Sequence, residues 1–211
     1  MKTYISKTKL RGKFIVLDGP DGCGKSTQAK LLTDRLNEAG VDVVTFRDPG
    51  TTAVGEKIRQ ILLSPKHDAM STRTELLLYM AARAQLWAEL IAPALKAEKC
   101  VVLDRWLSST CAYQGCAGGF GMDNVIKIAE DSLERSWPDL TIILDVDLQT
   151  STNRLSGAAD RMEAKPREYH QKVRNGFLTL AEQRENVIVV DAAKEIEAVQ
   201  EEIIRIVKER F

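Results

Sequence analysis

The sequence predicts an α/β fold of three layers, in which helices cover both faces of a five-stranded parallel sheet and a short lid is attached. Two observations predict it. Five short apolar runs alternate with helical patterns, and the run at 139–146 is almost continuously apolar, as in a strand buried on both faces. The 211 residues suffice for one domain with a sizeable core. We therefore expect a single domain, 1–211, with its lid at about 156–166.

Each predicted element has a local pattern that supports it, beginning with the apolar run FIVLD. Helices show apolar residues at three- and four-residue spacing, and strands show aliphatic runs between polar stretches. Gly40 is expected to end the first helix, and Pro93 to kink or end the third. In chain order we predict strand 14–18, helix 25–39, strand 41–46, helices 53–63 and 72–96, strand 99–104, helix 122–135, strand 139–146, helices 148–155 and 167–184, strand 186–191 and helix 194–209.

Composition excludes several classes of protein. Lysine plus arginine equals aspartate plus glutamate, 30 each, and a net charge of zero argues against a broad nucleic-acid surface. No apolar run approaches the length of a membrane span, and the first 13 residues lack the apolar centre of a signal peptide. The four cysteines have no C-x-x-C spacing, so we expect reduced thiols in a cytoplasmic protein.

The most specific motif is GPDGCGKST at residues 19–27, which matches the phosphate-binding loop G-x-x-x-x-G-K-S. It lies between a predicted strand and a predicted helix, the context that disfavours a chance glycine-rich turn. Its glycines let several backbone N–H groups face one anion, and the helix N-terminus adds positive potential. The predicted nucleotide-binding residues are Gly19, Asp21, Gly22, Cys23, Gly24, Lys25, Ser26 and Thr27. Lys25 would reach the β- and γ-phosphates, and the Ser26 hydroxyl would ligate Mg²⁺.

Charged residues follow three of the predicted strands. Asp18 ends the first strand, Arg47 follows the second, and Asp104 and Arg105 end the third. Because parallel strands gather ligands at their carboxyl ends, these groups are expected to converge. Arg47 and Arg105 are candidate phosphate clamps, and Asp104 is a candidate metal ligand. The alternative is a surface ion pair between Asp104 and Arg105.

Two further segments carry candidate residues. The polar segment 156–166 contains Arg161, and a mobile loop with a cation suits a lid that closes over phosphates and excludes water. The alternative is a solvated charged loop. Tyr79 and Arg83 lie four residues apart on a helix and share a face, which suits recognition of a base. From spacing alone, a core tyrosine and an exposed arginine are favoured.

These features, in this order, resemble the thymidylate kinase family over almost the whole chain. GPDGCGKSTQ resembles its phosphate loop, FRDPGTT its second-strand loop REPGGT, and LLLYMAARAQ its thymine-contacting helix. DRWLSSTCAYQG at 104–115 is the most family-specific piece. The segment 156–181 resembles the lid and the helix after it, and VIVVDA resembles the strand before the adenine contact. The resemblance implies a P-loop fold, transfer of phosphate from ATP to dTMP to form dTDP for dTTP synthesis, Mg²⁺, a homodimer and a cytoplasmic location.

The resemblance also implies roles for individual residues. Its catalytic set is Lys25, Arg47, Arg105, Arg161 and Asp21. Its substrate set is Asp21 near the sugar 3′-hydroxyl, Arg47 and Arg105 on the phosphate of dTMP, Tyr79 stacked on thymine, Arg83 at the thymine edge, and Ser109, Tyr113 and Gln114 around the nucleoside. Tyr113 is placed to disfavour a ribose 2′-hydroxyl. Ser26 and Asp104 form the metal set. No basic residue lies between Gly19 and Gly24, so the chain resembles the family members that carry their catalytic arginine in the lid.

Three positions depart from the family pattern. Asp48 replaces the usual glutamate, which leaves a direct metal role for it open. Thr51 replaces a glycine and is expected to need a different backbone conformation, because positive φ disfavours a β-branched residue. Cys23 stands where serine or alanine is common and is expected to make the loop oxidisable.

Three alternative functions stay open at this point. The nearest is a kinase of the same architecture that acts on another nucleotide or on a nucleoside. A nucleotide-operated switch of the GTPase kind is another, although the chain has no N-K-x-D motif to read a base. The third is a nucleotide-binding protein without activity.

Overall fold

A five-stranded, fully parallel sheet forms the centre of the computed structural model, which describes residues 6–155 and 159–211. The strands are β1 (Phe14–Asp18), β2 (Val43–Arg47), β3 (Cys100–Asp104), β4 (Leu140–Asp145) and β5 (Val187–Asp191). Their order across the sheet is β2-β3-β1-β4-β5. The predicted fold class is therefore confirmed, with β1 at the centre and β3 and β4 beside it.

Nine α-helices accompany the sheet in the described residues. They are α1 (Lys25–Glu38), α2 (Ala53–Leu63), α3 (Thr72–Leu86), α4 (Ala92–Lys96), α5 (Leu107–Thr110), α6 (Met122–Ser132), α7 (Leu148–Arg154), α8 (Arg167–Gln183) and α9 (Ile196–Arg210). In residues 6–155 and 159–211, no helix combines the length and apolar character needed to cross a bilayer. The predicted lid begins at 156–158, which lie outside the described residues, and 161–164 form a turn.

The two faces of the sheet bury separate apolar cores, because successive side chains of a strand point to opposite faces. On β1, Ile15 and Leu17 pack in the core beneath α1 and α9, whereas Phe14 and Val16 pack in the core beneath α3 and α6. All five residues of β1 are buried. The sheet is therefore a rigid platform whose carboxyl edge is held in place from both sides.

Pro93 does not end the helix in which it lies. The predicted helix 72–96 runs as α3, a π-helical turn at Trp87–Ile91 and then α4. Ala92 donates its backbone N–H to the carbonyl of Trp87, five residues back, just before the proline that has no N–H to donate. The π-turn accommodates the proline, so the prediction that the helix could end at Pro93 is wrong.

One helical segment was not predicted. Residues 107–117 form α5 and a π-helix, Cys111–Ala117, although the sequence shows no clear apolar periodicity there. The segment is buried largely by tertiary packing: a β-carbon on Gly176 of α8 would lie only 3.0 Å from Ala112 Cα and from Cys116 Cβ. Close helix packing therefore explains the structure where local periodicity gives no signal.

Candidate active site

The phosphate-binding loop connects β1 to α1 and depends on glycine for its shape. Gly19 and Gly22 have φ angles of 139° and 73°, which side chains rarely adopt. A β-carbon on Gly19 would collide with the Leu144 carbonyl oxygen, and one on Gly22 with that of Ser151. The loop is therefore pressed against the ends of β4 and α7, and larger residues do not fit at these two positions.

Two side chains at the start of α1 present their polar groups at this loop. Lys25 is buried, and its Nζ donates a hydrogen bond of 2.6 Å to the Pro20 carbonyl and lies 3.5 Å from Cys23 Sγ. Ser26 Oγ donates to Asp104 Oδ2 over 2.6 Å. The loop thus wraps around its own lysine, while a hydroxyl and a carboxylate meet at its outer edge. Burial raises the pKa of the Cys23 thiol, which lowers its thiolate fraction.

Asp21 and Arg105 join the phosphate loop to the next strand. Arg105 Nη2 donates to Asp21 Oδ1, and Tyr113 Oη donates to Asp21 Oδ2 over 2.6 Å. Arg105 Nη1 donates to the Gly19 carbonyl at 2.9 Å and to Ser109 Oγ at 3.0 Å. Burial disfavours the Asp21 carboxylate, but the charges of Arg105 and Lys25 and the Tyr113 hydrogen bond lower its pKa to about 2. Asp21 therefore stays ionised at neutral pH.

Asp18 organises the backbone beneath this pair and was missed as a site residue. Its buried carboxylate accepts hydrogen bonds from Ser108 Oγ at 2.5 Å and from the backbone N–H and Oγ of Ser109 at 2.9 and 2.6 Å. Arg105 has a φ of 68°, a strained value for a residue other than glycine. The only sequence signal was an acid at the end of an otherwise apolar strand.

A cleft opens beside Asp21 and Arg105 and is lined by polar, charged and aromatic side chains. We call it the acceptor cleft. Residues that follow β1, β2 and β3 meet there with residues of α2, α3 and the helical segment 107–117. The carboxyl edge of a parallel sheet gathers groups in this way. Of the predicted substrate residues, those that line it are Asp21, Tyr79, Arg83, Arg105, Ser109, Tyr113 and Gln114.

Arg83 lies at the inner end of the cleft and is buried rather than exposed, contrary to the expectation from spacing alone. Its Nε donates to Asp48 Oδ2 at 2.8 Å, and its Nη2 donates to Thr110 Oγ1 at 2.9 Å. Its Nη1 contacts only Met80 Sδ, at 3.5 Å, within the described part of the chain. Asp48 therefore holds Arg83 in place, and Nη1 remains as a donor for a ligand.

Arg47 does not line the acceptor cleft, contrary to the prediction from the sequence, whereas Arg59, which the sequence did not single out, does. Arg47 is exposed, pairs with Glu56 at 3.0 Å, and lies in a groove with Ser26 and Asp104 outside the acceptor cleft. Arg59 lines the cleft instead, and burial and the charge of Arg47 lower its pKa. The available signal was a charged residue on the same helix face as buried Gly55 and Leu62.

Thr51 keeps the left-handed conformation that favours glycine, with a φ of 68°. Its hydroxyl donates to the Arg47 carbonyl at 3.1 Å and accepts from the Arg47 N–H at 3.0 Å, and its own N–H donates to Glu56 at 2.7 Å. These bonds offset the strain, so the expected change of backbone conformation is not needed.

Arg161 lies at the acceptor cleft's rim but does not contact the phosphate loop in this conformation. Its side chain is buried, Nε donates to the Leu62 carbonyl at 2.6 Å, and Nη2 lies 2.6 Å from Glu75 Oε2. Its neighbours Asp160 and Met162 line the cleft. Its role as the lid cation stays a prediction.

A second groove, with a cavity volume of about 490 Å³, leads away from the other side of the phosphate loop. Gly22, Gly24 and Gln28 form one wall, and residues 192–196 form another. Arg154 of α7 reaches across it and donates to the Ala192 carbonyl at 2.7 Å. We call this second groove the donor groove. Its walls come from three segments that are distant in the sequence, and only the resemblance of the last strand to the one before the adenine contact indicated it.

Comparisons with known proteins identify a family with a similar sequence and a similar fold. A family profile described as thymidylate kinase matches residues 17–203. A thymidylate kinase of Caldanaerobacter subterraneus is 41% identical over 202 residues, with 95% of this chain and 97% of the relative covered. One of Symbiobacterium thermophilum is 44% identical, with 93% and 92% covered. The crystal structure of thymidylate kinase from Ehrlichia chaffeensis superposes with a TM-score of 0.76 at 30% identity, covering 93% of this chain and 98% of that one.

Proposed function

This chain belongs to the thymidylate kinase family, and from that premise we propose that its two clefts bind ATP and dTMP end to end for direct phosphoryl transfer. As a kinase of this family, it phosphorylates dTMP to dTDP with ATP as the phosphoryl donor. The roles of its individual residues are the proposal, and they rest on the geometry of the two clefts.

One observation carries the proposal: Arg105 and Asp21 belong to both sites at once. Arg105 hydrogen-bonds the Gly19 carbonyl of the phosphate loop and also lines the acceptor cleft. A guanidinium at this junction can contact the acceptor phosphate and the transferring group together. The two phosphates therefore need no carrier between them, and transfer is expected in one step.

The donor is proposed to lie across the phosphate loop. Backbone N–H groups of residues 22–27 and Lys25 would hold the phosphates, in exchange for the present bond from Lys25 to Pro20. The donor groove would take the adenine, with the Arg154 guanidinium fixed against it by the Ala192 carbonyl. A planar guanidinium stacks well on a planar base.

The acceptor is proposed to enter the cleft with its phosphate toward Arg105 and Arg59. Tyr79 would stack on thymine, and Arg83 Nη1, which has a second N–H besides the one facing Met80 Sδ, would donate to a base carbonyl. Tyr113 is fixed by Asp21 and by its ring beneath Arg105, so it forms a rigid wall at the sugar. This placement suits deoxyribose better than ribose.

Ser26 and Asp104 fit a Mg²⁺ ion. A hydroxyl and a carboxylate are oxygen ligands of the kind this ion prefers, and they lie 2.6 Å apart beside the phosphate loop. Among residues 6–155 and 159–211, no cluster of three or more His, Cys, Asp or Glu side chains encloses a metal, which suits an ion ligated mostly by phosphates and water. Bound there, Mg²⁺ would neutralise charge on the β- and γ-phosphates.

The chemistry needs alignment and charge neutralisation more than a base. An oxygen of the dTMP 5′-phosphate forms the new bond to Pγ, and the bond from Pγ to the bridging oxygen breaks to leave ADP. The acceptor oxygen is already anionic, so no proton must be removed. Lys25, Arg105, Arg47 and Arg161 would spread the transition-state charge, the last two after a local movement from Glu56 and Glu75.

A coupled assay of ADP release tests the proposal. We expect fast release with ATP, Mg²⁺ and dTMP, and much slower release with dCMP, UMP, AMP or thymidine. The structural reason is the fixed Tyr113 at the sugar, the phosphate-binding arginines and the donor at Arg83. Faster turnover of thymidine than of dTMP would contradict the arginine roles, and turnover without any acceptor would contradict transfer between two clefts.

We propose a cytoplasmic homodimer formed through α2 and α3. Three large apolar side chains are exposed on these packed helices, Val54 at 50%, Ile61 at 42% and Leu77 at 54%. Val54 and Ile61 lie seven residues apart and share a face. All four cysteines are free thiols, as the cytoplasm favours. Light scattering should give about twice the chain mass of 23.5 kDa, and Leu77→Asp should give the monomer. A monomeric wild-type protein at micromolar concentration would contradict this.

A further inference from the structure

A buried carboxylate, Glu75, connects the wall of the acceptor cleft to the lid segment. Glu75 lies on α3 and is 5% exposed. Its Oε1 accepts a 2.7 Å hydrogen bond from Gln114 Nε2, and its Oε2 lies 2.6 Å from Arg161 Nη2. Gln114 is 1% exposed and lines the cleft. Glu75 therefore contacts both Gln114, which lines the cleft, and the buried guanidinium of Arg161.

The carboxylate determines which way the Gln114 amide points. An ionised glutamate only accepts hydrogen bonds, so the amide nitrogen of Gln114 must face it. The amide oxygen, Oε1, is then directed away from Glu75. Held like this, Gln114 offers the cleft an acceptor, and Arg83 Nη1 offers the same cleft a donor.

This pair of groups distinguishes pyrimidines. Thymine and uracil carry an N3–H donor beside carbonyl acceptors, whereas cytosine carries an unprotonated N3 acceptor and an amino donor at C4. An amide oxygen opposite cytosine N3 would place two acceptors against each other, and a guanidinium opposite the amino group would place two donors together. A buried mismatch of this kind is strongly disfavoured.

We propose that Glu75 is a positioning residue for base selection: it fixes the Gln114 amide so that the cleft accepts an imide base and rejects cytosine. Its ion pair with Arg161 holds the carboxylate from the other side. The proposal rests on the function proposed above, because it assumes that a pyrimidine nucleotide occupies the acceptor cleft.

The test is the ratio of kcat/KM for dTMP to kcat/KM for dCMP in Glu75→Gln. A glutamine at 75 can donate as well as accept, so Gln114 is free to turn its amide nitrogen toward the cleft. We expect the ratio to fall by up to about a hundredfold, through a higher KM for dTMP and a lower KM for dCMP, since one redirected hydrogen bond changes affinity by about tenfold for each base. A purely structural role would lower both activities together and leave the ratio unchanged.

Three further variants make the outcome decisive. Glu89→Gln is the matched control, because Glu89 accepts a hydrogen bond of 2.8 Å from Gln85 on an exposed surface and should leave the ratio unchanged. The double variant Glu75→Gln, Gln114→Glu exchanges the two side chains, so that the carboxylate now stands at position 114. It returns a hydrogen-bond acceptor to the cleft and should recover most of the ratio. If Glu75→Gln does not fold, Glu75→Asp keeps a negative charge but is one methylene shorter, so its carboxylate is withdrawn from Gln114 and the ratio should still fall.

A folded Glu75→Gln or Glu75→Asp protein with the wild-type ratio would overturn the proposal. So would a folded double variant that remains as unselective as Glu75→Gln. Failure of the proposed function is a separate result: the wild-type protein would then show no turnover of dTMP at all.

Discussion

Replacing Arg105 with alanine is expected to lower kcat/KM for dTMP by about 10³-fold or more, the effect of removing a cation that contacts a transferring phosphoryl group. The physical reason is its position: one guanidinium bonds the phosphate loop at Gly19, the helical segment at Ser109 and the carboxylate of Asp21. Steady-state kinetics with both substrates varied would measure the loss. Arg105→Lys keeps the charge but loses the planar guanidinium that can bind phosphate through two hydrogen bonds, so it should recover only a small part of the activity.

Folding must be measured alongside activity for this variant. Without Arg105, the carboxylates of Asp18 and Asp21 lose their shared cation, and we expect a lower melting temperature. Arg205→Ala is the matched control, because Arg205 also bridges two carboxylates, those of Glu202 and Glu209, but on the exposed surface of α9. Folded Arg105→Ala with activity within tenfold of the wild type would refute a direct role in transfer.

The sequence was sufficient to predict the sheet and the phosphate loop, since both depend on local signals. The loop is a contiguous motif, and the central strand shows its burial in an unbroken apolar run. Parallel strands then bring their carboxyl ends to one edge. That is why Asp104 and Ser26, 78 residues apart, could be placed together before their 2.6 Å contact was seen.

Side-chain direction was less predictable, because it depends on packing between distant segments. Arg47 and Arg59 both belong to the second strand–helix unit, yet only Arg59 lines the acceptor cleft. The hydrogen bonds of Thr51 hold the turn so that Arg47 meets Glu56. The sequence shows that Arg59 shares a helix face with Gly55 and Leu62, but it gives no signal for the direction of Arg47, which depends on how the turn is held.

Arg161 and Arg83 show a second limit of sequence-based prediction: the sequence does not show which acid compensates a buried positive charge. Both arginines are buried, and each is held by an acid from another element, Glu75 and Asp48 respectively. Burial of a charge requires such a partner, but the partner lies 35 residues away for Arg83 and 86 for Arg161 in the chain. The sequence supplied the arginines as candidates, whereas only the fold supplied their acids and hence their orientation.

The same pairing explains how the site is prepared before substrates bind. Arg105 is already fixed at the junction by Asp21, whereas Arg47 and Arg161 are held by glutamates outside it. A preorganised cation reduces the reorganisation needed at the moment of transfer, and in the proposed mechanism the two arginines that arrive later would couple charge neutralisation to closure and exclusion of water. This arrangement suits an enzyme that must keep water from taking the phosphoryl group.

Lys25→Met is expected to lower kcat by about 10³-fold while leaving the KM for dTMP within a few-fold of the wild-type value. Lys25 is buried at the phosphate loop, where Nζ bonds the Pro20 carbonyl and can exchange that bond for the β- and γ-phosphate oxygens of ATP. Methionine fills a similar volume without the charge, so the loop should keep its shape. Lys127→Met, on the exposed surface of α6, is the control and should retain full activity.

A lower kcat with an unchanged KM for dTMP is the discriminating result, because dTMP is proposed to bind in the other cleft. An equal rise in the KM for dTMP would show that the lysine serves the acceptor, and kcat within tenfold of the wild type would show that the loop binds phosphate through its backbone alone.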